Sequence, residues 1–300
     1  AGGDVLVGIE NVIGSGGDDR LKGNGGANRL EGGFGNDTLD GQRGDDVLAG
    51  GRGADRLIGG IGADTADYSA SAGRVTVSLS SGNGWYGDAG GDTLSGIENL
   101  VGSAHNDGLK GNGGANRLEG AAGNDTLDGQ GGDDILAGGP GADRLIGGAG
   151  MDTANYAGSA ASVRVSLASG NAWYGDAAGD TLTGVEAVVG SAFDDTLKGG
   201  SGANVLEGGA GNDRLTGGPG SDIFVFADGS GRDTIYDFVA GAGTVDAIDL
   251  SAGSVAGSLA DILARAVQSG LDTLIDLGAG NQITLLGVER TALHADDFVF

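Results

Sequence analysis

The fold of this chain can be derived from nine residues, Gly32-Gly33-Phe34-Gly35-Asn36-Asp37-Thr38-Leu39-Asp40. Glycine stands at its positions 1, 2 and 4, an acid at position 6 and leucine at position 8. Because glycine reaches positive φ at no steric cost, the first six residues can turn sharply with backbone carbonyls pointing inward. The last three residues then form a short strand whose middle side chain points to one face. The stretch therefore predicts a tight turn followed by a strand with a buried leucine.

The nine-residue pattern occurs sixteen times, in blocks 14–67, 102–155 and 190–225 of six, six and four copies. Two nonapeptides make one coil of 18 residues, so repeats n and n+2 share a side with their turns about 4.8 Å apart. We expect an all-β fold, an elongated parallel β-roll or β-solenoid, over residues 1–222. The side chains expected in its interior are Leu21, Leu30, Leu39, Leu48, Leu57, Leu109, Leu118, Leu127, Leu136, Leu145, Leu197, Leu206, Leu215 and Phe224.

The stacked turns form two acidic edges whose spacing suits a cation held between two side chains and nearby turn carbonyls. Ca²⁺ takes six to eight oxygen ligands at roughly 2.3–2.6 Å. A block of n repeats then gives n−2 sandwiched sites, about ten ions in all, which would offset about 20 of the formal net charge of −26. Without metal the carboxylates repel one another and 68 glycines raise the entropy of the unfolded chain. We therefore expect folding to be coupled to calcium binding.

Residues 68–101 and 156–189 separate the blocks and repeat each other at an offset of 88 residues. Each has a strand with period-two alternation, and each ends in a near-copy of the nonapeptide. Longer coils that continue the solenoid are the favoured interpretation, and a bulging subdomain is the alternative. The pairs Trp85-Tyr86 and Trp173-Tyr174 fit packing that closes an irregular coil, or alternatively a pair of sugar-stacking platforms.

Residues 223–300 are unique and more apolar, which predicts a β-rich cap on the last coil. We expect further strands at Arg232–Phe238 and Ile248–Leu250, and a hairpin around Gly278–Asn281. One short helix is expected over Ser258–Gln268, with Ser258 as its N-cap. The chain ends in two acids followed by three apolar residues, Asp296–Phe300.

Together, these features resemble the RTX (repeats-in-toxin) calcium-binding β-roll, in particular the C-terminal regions of proteins exported by type I secretion in Gram-negative bacteria. The resemblance implies an extracellular or cell-surface location, an export signal in Asp296–Phe300, and Ca²⁺ bound by position-6 side chains and turn carbonyls. The implied side-chain ligands are Asp19, Asn28, Asp37, Asp46, Asp55, Asp64, Asp107, Asn116, Asp125, Asp134, Asp143, Asp152, Asp195, Asn204, Asp213 and Asp222. The implied glycine ligands are Gly32, Gly35, Gly41, Gly44, Gly50, Gly53, Gly120, Gly123, Gly129, Gly132, Gly138, Gly141, Gly208 and Gly211.

Five turns depart from the pattern in a way that weakens their expected metal sites. Asn28, Asn116 and Asn204 replace the acid, which removes one charge from each site they share. His105 and Phe193 occupy position 4, where glycine is expected, so those two turns should deviate in backbone conformation.

The composition argues against several classes of function. A strongly acidic chain is unsuited to nucleic acid or anionic membranes, and no apolar run reaches 18 residues, so no transmembrane helix is expected. The two histidines, His105 and His294, lie outside any H-E-x-x-H motif, and there is no cysteine or G-x-S-x-G motif. We expect no enzyme within this chain.

Three functions remain open from the sequence. The favoured one is a calcium-dependent folding and export module that stabilises or displays a larger secreted protein, such as a protease, lipase, epimerase or lyase. Asp4–Glu10 match Asp92–Glu98, so the chain enters a repeat unit partway through, as expected of part of a longer polypeptide. An adhesin, surface-layer or polysaccharide-binding module is the alternative, and a pore-forming fragment is the weakest.

Overall fold

The computed structural model describes residues 9–242, 246–253 and 257–300. The match of Asp4–Glu10 to a later repeat thus begins outside the described residues. The described residues form two compact units, 9–138 with 146–150, and 139–145 with the described part of 151–300. Each unit is built almost wholly from short strands that follow tight turns.

The first unit contains fifteen described strands and one 3-10 turn, Gly87–Ala89. The strands are β1 (Asn11–Ile13), β2 (Arg20–Lys22), β3 (Arg29–Phe34), β4 (Thr38–Arg43), β5 (Val47–Arg52), β6 (Arg56–Ile61), β7 (Thr65–Asp67), β8 (Thr76–Ser78), β9 (Asn83–Trp85), β10 (Thr93–Ser95), β11 (Asn99–Val101), β12 (Gly108–Lys110), β13 (Arg117–Glu119), β14 (Thr126–Gly131) and β15 (Ile135–Ala137).

These strands alternate between two sheets as the chain winds. One sheet runs β1-β3-β5-β7-β11-β13-β15 and is parallel throughout. In the other, β2-β4-β6-β10 and β8-β12-β14 are parallel, and β9 lies antiparallel between β10 and β8. Leu30 pairs with Leu48, and Leu39 with Leu57, so partners are 18 residues apart as predicted.

The strand β16 (Arg144–Ala149) contributes residues to both units, and the remaining elements belong to the second. They are β17 (Thr153–Asn155), β18 (Arg164–Ser166), β19 (Asn171–Trp173), β20 (Thr181–Thr183), β21 (Ala187–Val189), β22 (Thr196–Lys198), β23 (Val205–Glu207), β24 (Arg214–Thr216), β25 (Ile223–Val225), β26 (Arg232–Ile235), β27 (Ala247–Asp249), α1 (Leu259–Arg265), β28 (Ala266–Ser269), β29 (Asp272–Gly278), β30 (Asn281–Leu285) and β31 (Phe298–Val299), with 3-10 turns at Gly175–Ala177, Arg290–Ala292 and Ala295–Asp297.

The second unit has the same two-sheet construction. One parallel sheet runs β17-β21-β23-β25-β27-β31. In the other, β18-β22-β24-β26-β30 are parallel, and β30, β29 and β28 form an antiparallel meander. The C-terminal residues therefore extend both sheets of the roll. The predicted all-β parallel β-roll is confirmed, with α1 the one α-helix among the described residues.

In each unit the position-8 side chains form a buried ladder between the two sheets. Every leucine predicted for the interior is at most 1% exposed except Leu21, which is half-buried because β2 is the edge strand of its sheet among the described residues. Ala66 in the first unit and Ala154 in the second hold ladder positions with smaller side chains and are fully buried. One residue per nonapeptide makes a thin core, so the leucines alone stabilise the roll weakly.

The helix is shorter than the sequence pattern indicated. Ser258 caps it as predicted, accepting a hydrogen bond from the Asp261 N–H, but the helix ends at Arg265 rather than Gln268. Residues 266–269 pair with β29 instead, because the antiparallel ladder offers those backbone groups partners in register. The hairpin is where it was expected, and its turn residues Ala279 and Gly280 both have positive φ. Among the described residues no helix is long and apolar enough to span a bilayer.

Candidate metal centres

The position-6 side chains stack along the roll in the predicted rows. The backbone N–H of Asp37 donates to Oδ1 of Asp55 over 2.7 Å, and that of Asp19 donates to Oδ1 of Asp37 over the same distance. The second edge repeats this geometry from Asn28 to Asp46. Further pairs joined in this way are Asp46–Asp64, Asp107–Asp125, Asn116–Asp134, Asp195–Asp213 and Asn204–Asp222. In each of these pairs, Oδ1 of the second residue is thus committed to the neighbouring coil.

Six of these aspartates keep their second oxygen without a hydrogen-bond partner among the described residues. The Oδ2 atoms are buried, and the residues are at most 2% exposed. An unpartnered buried carboxylate oxygen is costly, so it marks a place built for a partner that the protein chain does not supply. We call these six turns the open turns; they end at Asp37, Asp46, Asp55, Asp64, Asp213 and Asp222.

A backbone carbonyl accompanies the free oxygen. A side chain added at Gly32 would place its Cβ within 2.5 Å of both the Asp37 Oδ2 and the Gly50 carbonyl oxygen of the next coil. These two oxygens are therefore less than about 5 Å apart, close enough to bind one Ca²⁺ at roughly 2.3–2.6 Å from each. Glycine at position 1 keeps this space clear. The donor set is all oxygen, which is the set that Ca²⁺ prefers.

The metal-free carboxylates are poorly stabilised as anions. Burial, with nearby acids adding to it, raises the pKa of Asp37, Asp46 and Asp64, and it raises the pKa of Asp55 to about 6. The same cause raises the pKa of Asp213 to about 8. A divalent cation beside each oxygen would reverse this effect, because an adjacent positive charge favours the ionised form.

The first two turns of each block differ from the open turns. The second oxygen of Asp195 accepts the Ser191 N–H of its own turn over 2.5 Å, and Oδ1 of Asn116 accepts the Asn112 N–H over 2.8 Å. We call these the closed turns; they end at Asp19, Asn28, Asp107, Asn116, Asp195 and Asn204. In each of them, a side-chain oxygen thus accepts a backbone N–H of its own turn.

The backbone explains the two classes. In open turns positions 2 and 4 both have positive φ, as at Gly33 (φ 106°) and Gly35 (φ 118°). In closed turns neither position does. For this reason His105 and Phe193 fit at position 4, and those turns depart from the open geometry as expected.

The nonapeptide consensus does not separate open from closed turns, although position 2 carries a signal of the difference. Five of the six closed turns carry serine or asparagine at position 2, and such side chains hydrogen-bond locally in turns. The Ser103 hydroxyl donates to Asp107, and the Asn112 side chain accepts the Gly114 N–H. Both contacts favour a closed turn.

The three asparagines at position 6 have a local role. Nδ2 of Asn116 donates to the Glu98 carbonyl oxygen over 2.9 Å, and Nδ2 of Asn204 donates to that of Glu186 over 3.0 Å. A carboxylate there would face a carbonyl oxygen and lose this bond. The amide therefore joins the start of a block to the preceding segment by a hydrogen bond.

The segments between the blocks continue the rows with residues outside the predicted ligand set. Oδ1 of Asp92 accepts the Asp55 N–H over 2.7 Å, while its Oδ2 accepts the buried Tyr68 hydroxyl over 3.0 Å. Asp180 and Tyr156 repeat this pair at 2.9 Å. Burial raises the pKa of Asp92 to about 7. A phenol hydroxyl thus occupies the position that is free in the open turns.

Side-chain clusters of other metal-binding types do not arise in the described part of the chain, where no group of three or more His, Cys, Asp or Glu side chains converges. The candidate centres instead combine one carboxylate with backbone carbonyls. His105 lies in a closed turn, and His294 caps the 3-10 turn Ala295–Asp297.

Comparison with known proteins gives one family. The model of the RTX calcium-binding nonapeptide repeat (4 copies) matches residues 6–39, 32–66, 93–127, 128–155 and 189–224, more than half of the chain. No curated protein matches significantly. Among solved structures, the chain is similar to extracellular lipase LipA from Serratia marcescens, with 19% identity and a TM-score of 0.29 over 99% of this chain. The similarity covers 40% of the lipase chain. The family model that matches describes a calcium-binding repeat and does not indicate a family of enzymes.

Proposed function

The chain belongs to the family of RTX calcium-binding nonapeptide repeats, and we propose that it is a calcium-dependent folding module of a larger secreted protein. The observation that carries the proposal is the buried, unpartnered Oδ2 of the open turns. In this proposal Ca²⁺ binds there first, with turn carbonyls completing its coordination. Residues 1–222 form the calcium-binding roll and residues 223–300 its cap.

Calcium acts by neutralising a chain that otherwise repels itself. The formal net charge is −26, and the open-turn aspartates are stacked one coil apart. The leucine ladder supplies little apolar burial against this repulsion and against the backbone entropy of the glycines. Binding free energy then becomes folding free energy, since the ligands converge only in the roll. We predict about ten bound Ca²⁺ ions for the whole chain.

The cap suggests the order of export and folding. Phe298 is buried in β31, which pairs with β27, and the Asp297 carboxylate accepts the Gly241 N–H over 2.9 Å. Asp297 and Phe298 are thus buried in the folded cap, so a type I exporter that reads Asp296–Phe300 would find the whole segment accessible only in an unfolded chain. We propose that the chain leaves the cell unfolded, where calcium is scarce, and that weak sites fill outside, as extracellular modules with Kd of about 10⁻⁴–10⁻³ M do.

A calcium titration followed by far-UV circular dichroism tests the proposal. In chelator the chain should be disordered, and β signal should rise cooperatively with added Ca²⁺. Mg²⁺ at equal concentration is the control, because its octahedral preference and slow dehydration suit these carbonyl-rich turns poorly. A spectrum of folded β structure in chelator, unchanged by calcium, would contradict the proposal.

A further inference from the structure

A row of small side chains crosses the outer face of the first unit beside Trp85. Thr76 pairs with Trp85 on one side and with Gly108 on the other, and Gly108 pairs with Thr126. Paired residues of adjacent strands point to the same face. The next residues along these strands, including Val77, are buried in the ladder, so the row faces outward.

This row forms the floor of a depression of about 440 Å³. That volume is within the roughly 300–1,000 Å³ typical of small-molecule sites. Gly108 has no side chain, which leaves a gap in the middle of the floor. The Trp85 ring, 45% exposed, forms one wall.

Polar groups line the depression in a second row. Ser78, Lys110 and Asp128 are in register across the same strands, and Lys110 Nζ lies 3.6 Å from Asp128 Oδ2. Ser80 and Ser81 add hydroxyl groups at one end. The aromatic ring offers a surface for stacking. The hydroxyls and the Lys110–Asp128 ion pair offer both hydrogen-bond donors and acceptors.

The second unit carries the same tryptophan but a different floor. Arg164 pairs with Trp173 and with Thr196, which pairs in turn with Arg214. The Arg164 guanidinium lies over the Trp173 ring at 5.5 Å. An arginine thus occupies a ring face at Trp173, whereas threonine and glycine leave the ring open at Trp85.

We propose that the depression beside Trp85 binds a neutral polysaccharide, with one pyranose ring stacked on the indole. A pyranose has apolar C–H faces and a rim of hydroxyls, which fits an aromatic wall next to serines and the Lys110–Asp128 pair. With about ten Ca²⁺ bound the chain still carries a net charge of about −6, which does not favour a polyanion.

Affinity electrophoresis in millimolar CaCl₂ tests the proposal directly, with neutral glucans, mannans and galactans in the gel and alginate as the acidic comparison. At least one neutral polysaccharide should retard the chain more than alginate does. Retardation by none of them, or by alginate alone, would overturn the proposal.

Variants locate the binding. Trp85→Ala and Gly108→Thr, which copies the residue of the second unit, should each weaken retardation by about tenfold or more. Trp173→Ala is the matched control and should leave it unchanged. Calcium-induced circular dichroism must stay intact in all three, which separates lost binding from lost folding.

Fluorescence supplies an independent readout. In Trp173→Phe, Trp85 is the one remaining tryptophan, because the chain has two. The retarding polysaccharide should shift or quench its emission. Equal weakening by Trp85→Ala and Trp173→Ala, or an unchanged spectrum, would refute the assignment.

Discussion

The substitution Asp55→Asn should have opposite effects on stability with and without calcium. Asp55 is 2% exposed, its Oδ1 accepts the Asp37 N–H, and its Oδ2 has no partner among the described residues. Asparagine keeps the acceptor at Oδ1 and removes the buried charge. In metal-free protein that removal should stabilise the roll.

The magnitude follows from the pKa of the carboxyl group. Burial raises the pKa of Asp55 from 3.8 to about 6. Each pKa unit corresponds to about 1.4 kcal/mol, so above pH 6 the ionised side chain destabilises the metal-free fold by at most about 3 kcal/mol. With calcium the sign reverses. If the amide weakens one site tenfold at saturating calcium, the fold loses about 1.4 kcal/mol.

The assay is unfolding by urea at pH 7.5, followed by circular dichroism, in chelator and in millimolar CaCl₂. If the metal-free wild type is already unfolded, a titration with a stabilising osmolyte measures the same free energy from the unfolded side. Asp19→Asn is the control. Asp19 lies in a closed turn, where hydrogen bonds from Ser15 lower its pKa, so its replacement should not reverse sign between the two conditions.

Equal effects in the two conditions would contradict a metal centre at Asp55. If Asp55→Asn destabilises the protein equally in chelator and in calcium, the carboxylate acts as a hydrogen-bond acceptor alone and the open turn is no metal centre. Equal behaviour of Asp19→Asn and Asp55→Asn would likewise remove the distinction between closed and open turns.

Two further predictions concern pH and glycine. In chelator the chain should gain β structure as pH falls from 8 to 5. Burial raises the pKa of Asp92 to about 7 and of Asp213 to about 8, so the stability that their protonated forms provide is full below the unfolded value of 3.8 and is lost as pH rises through 7–8. In CaCl₂ protons compete with the metal, so acid should raise the calcium midpoint, and circular dichroism measures the opposite pH trends of the two series. Gly53→Ala should abolish calcium-induced folding or shift its midpoint strongly, because Gly53 has φ of 149° and a Cβ there would overlap the Gly35 carbonyl. Gly25→Ala is the control and should titrate like the wild type, since the space around the new Cβ is open. Similar midpoints for the two variants would contradict the stacking of position-4 glycines.

Much of the roll is readable from local sequence. The period of nine places glycine, acid and leucine so that each repeat closes a turn and buries one side chain, and the 18-residue coil then follows from repetition. The observed pairing of Leu30 with Leu48 and of Leu39 with Leu57 needs no further information. The Ser258 cap and the turn at Ala279-Gly280 are equally local.

The contacts between coils depend on tertiary packing rather than on local sequence. The consensus pattern treats Asp37 and Asp195 alike, yet the coil contacts leave one oxygen of Asp37 free and satisfy both oxygens of Asp195, since the φ values at positions 2 and 4 differ. Tyr68 reaches Asp92 across 24 residues, and Gly108 lies beside Thr76 across 32, because strand pairing joins segments that sequence spacing keeps apart. A repeat encodes its own turn and strand, whereas its neighbours determine which polar atoms remain unpaired and which surfaces remain open.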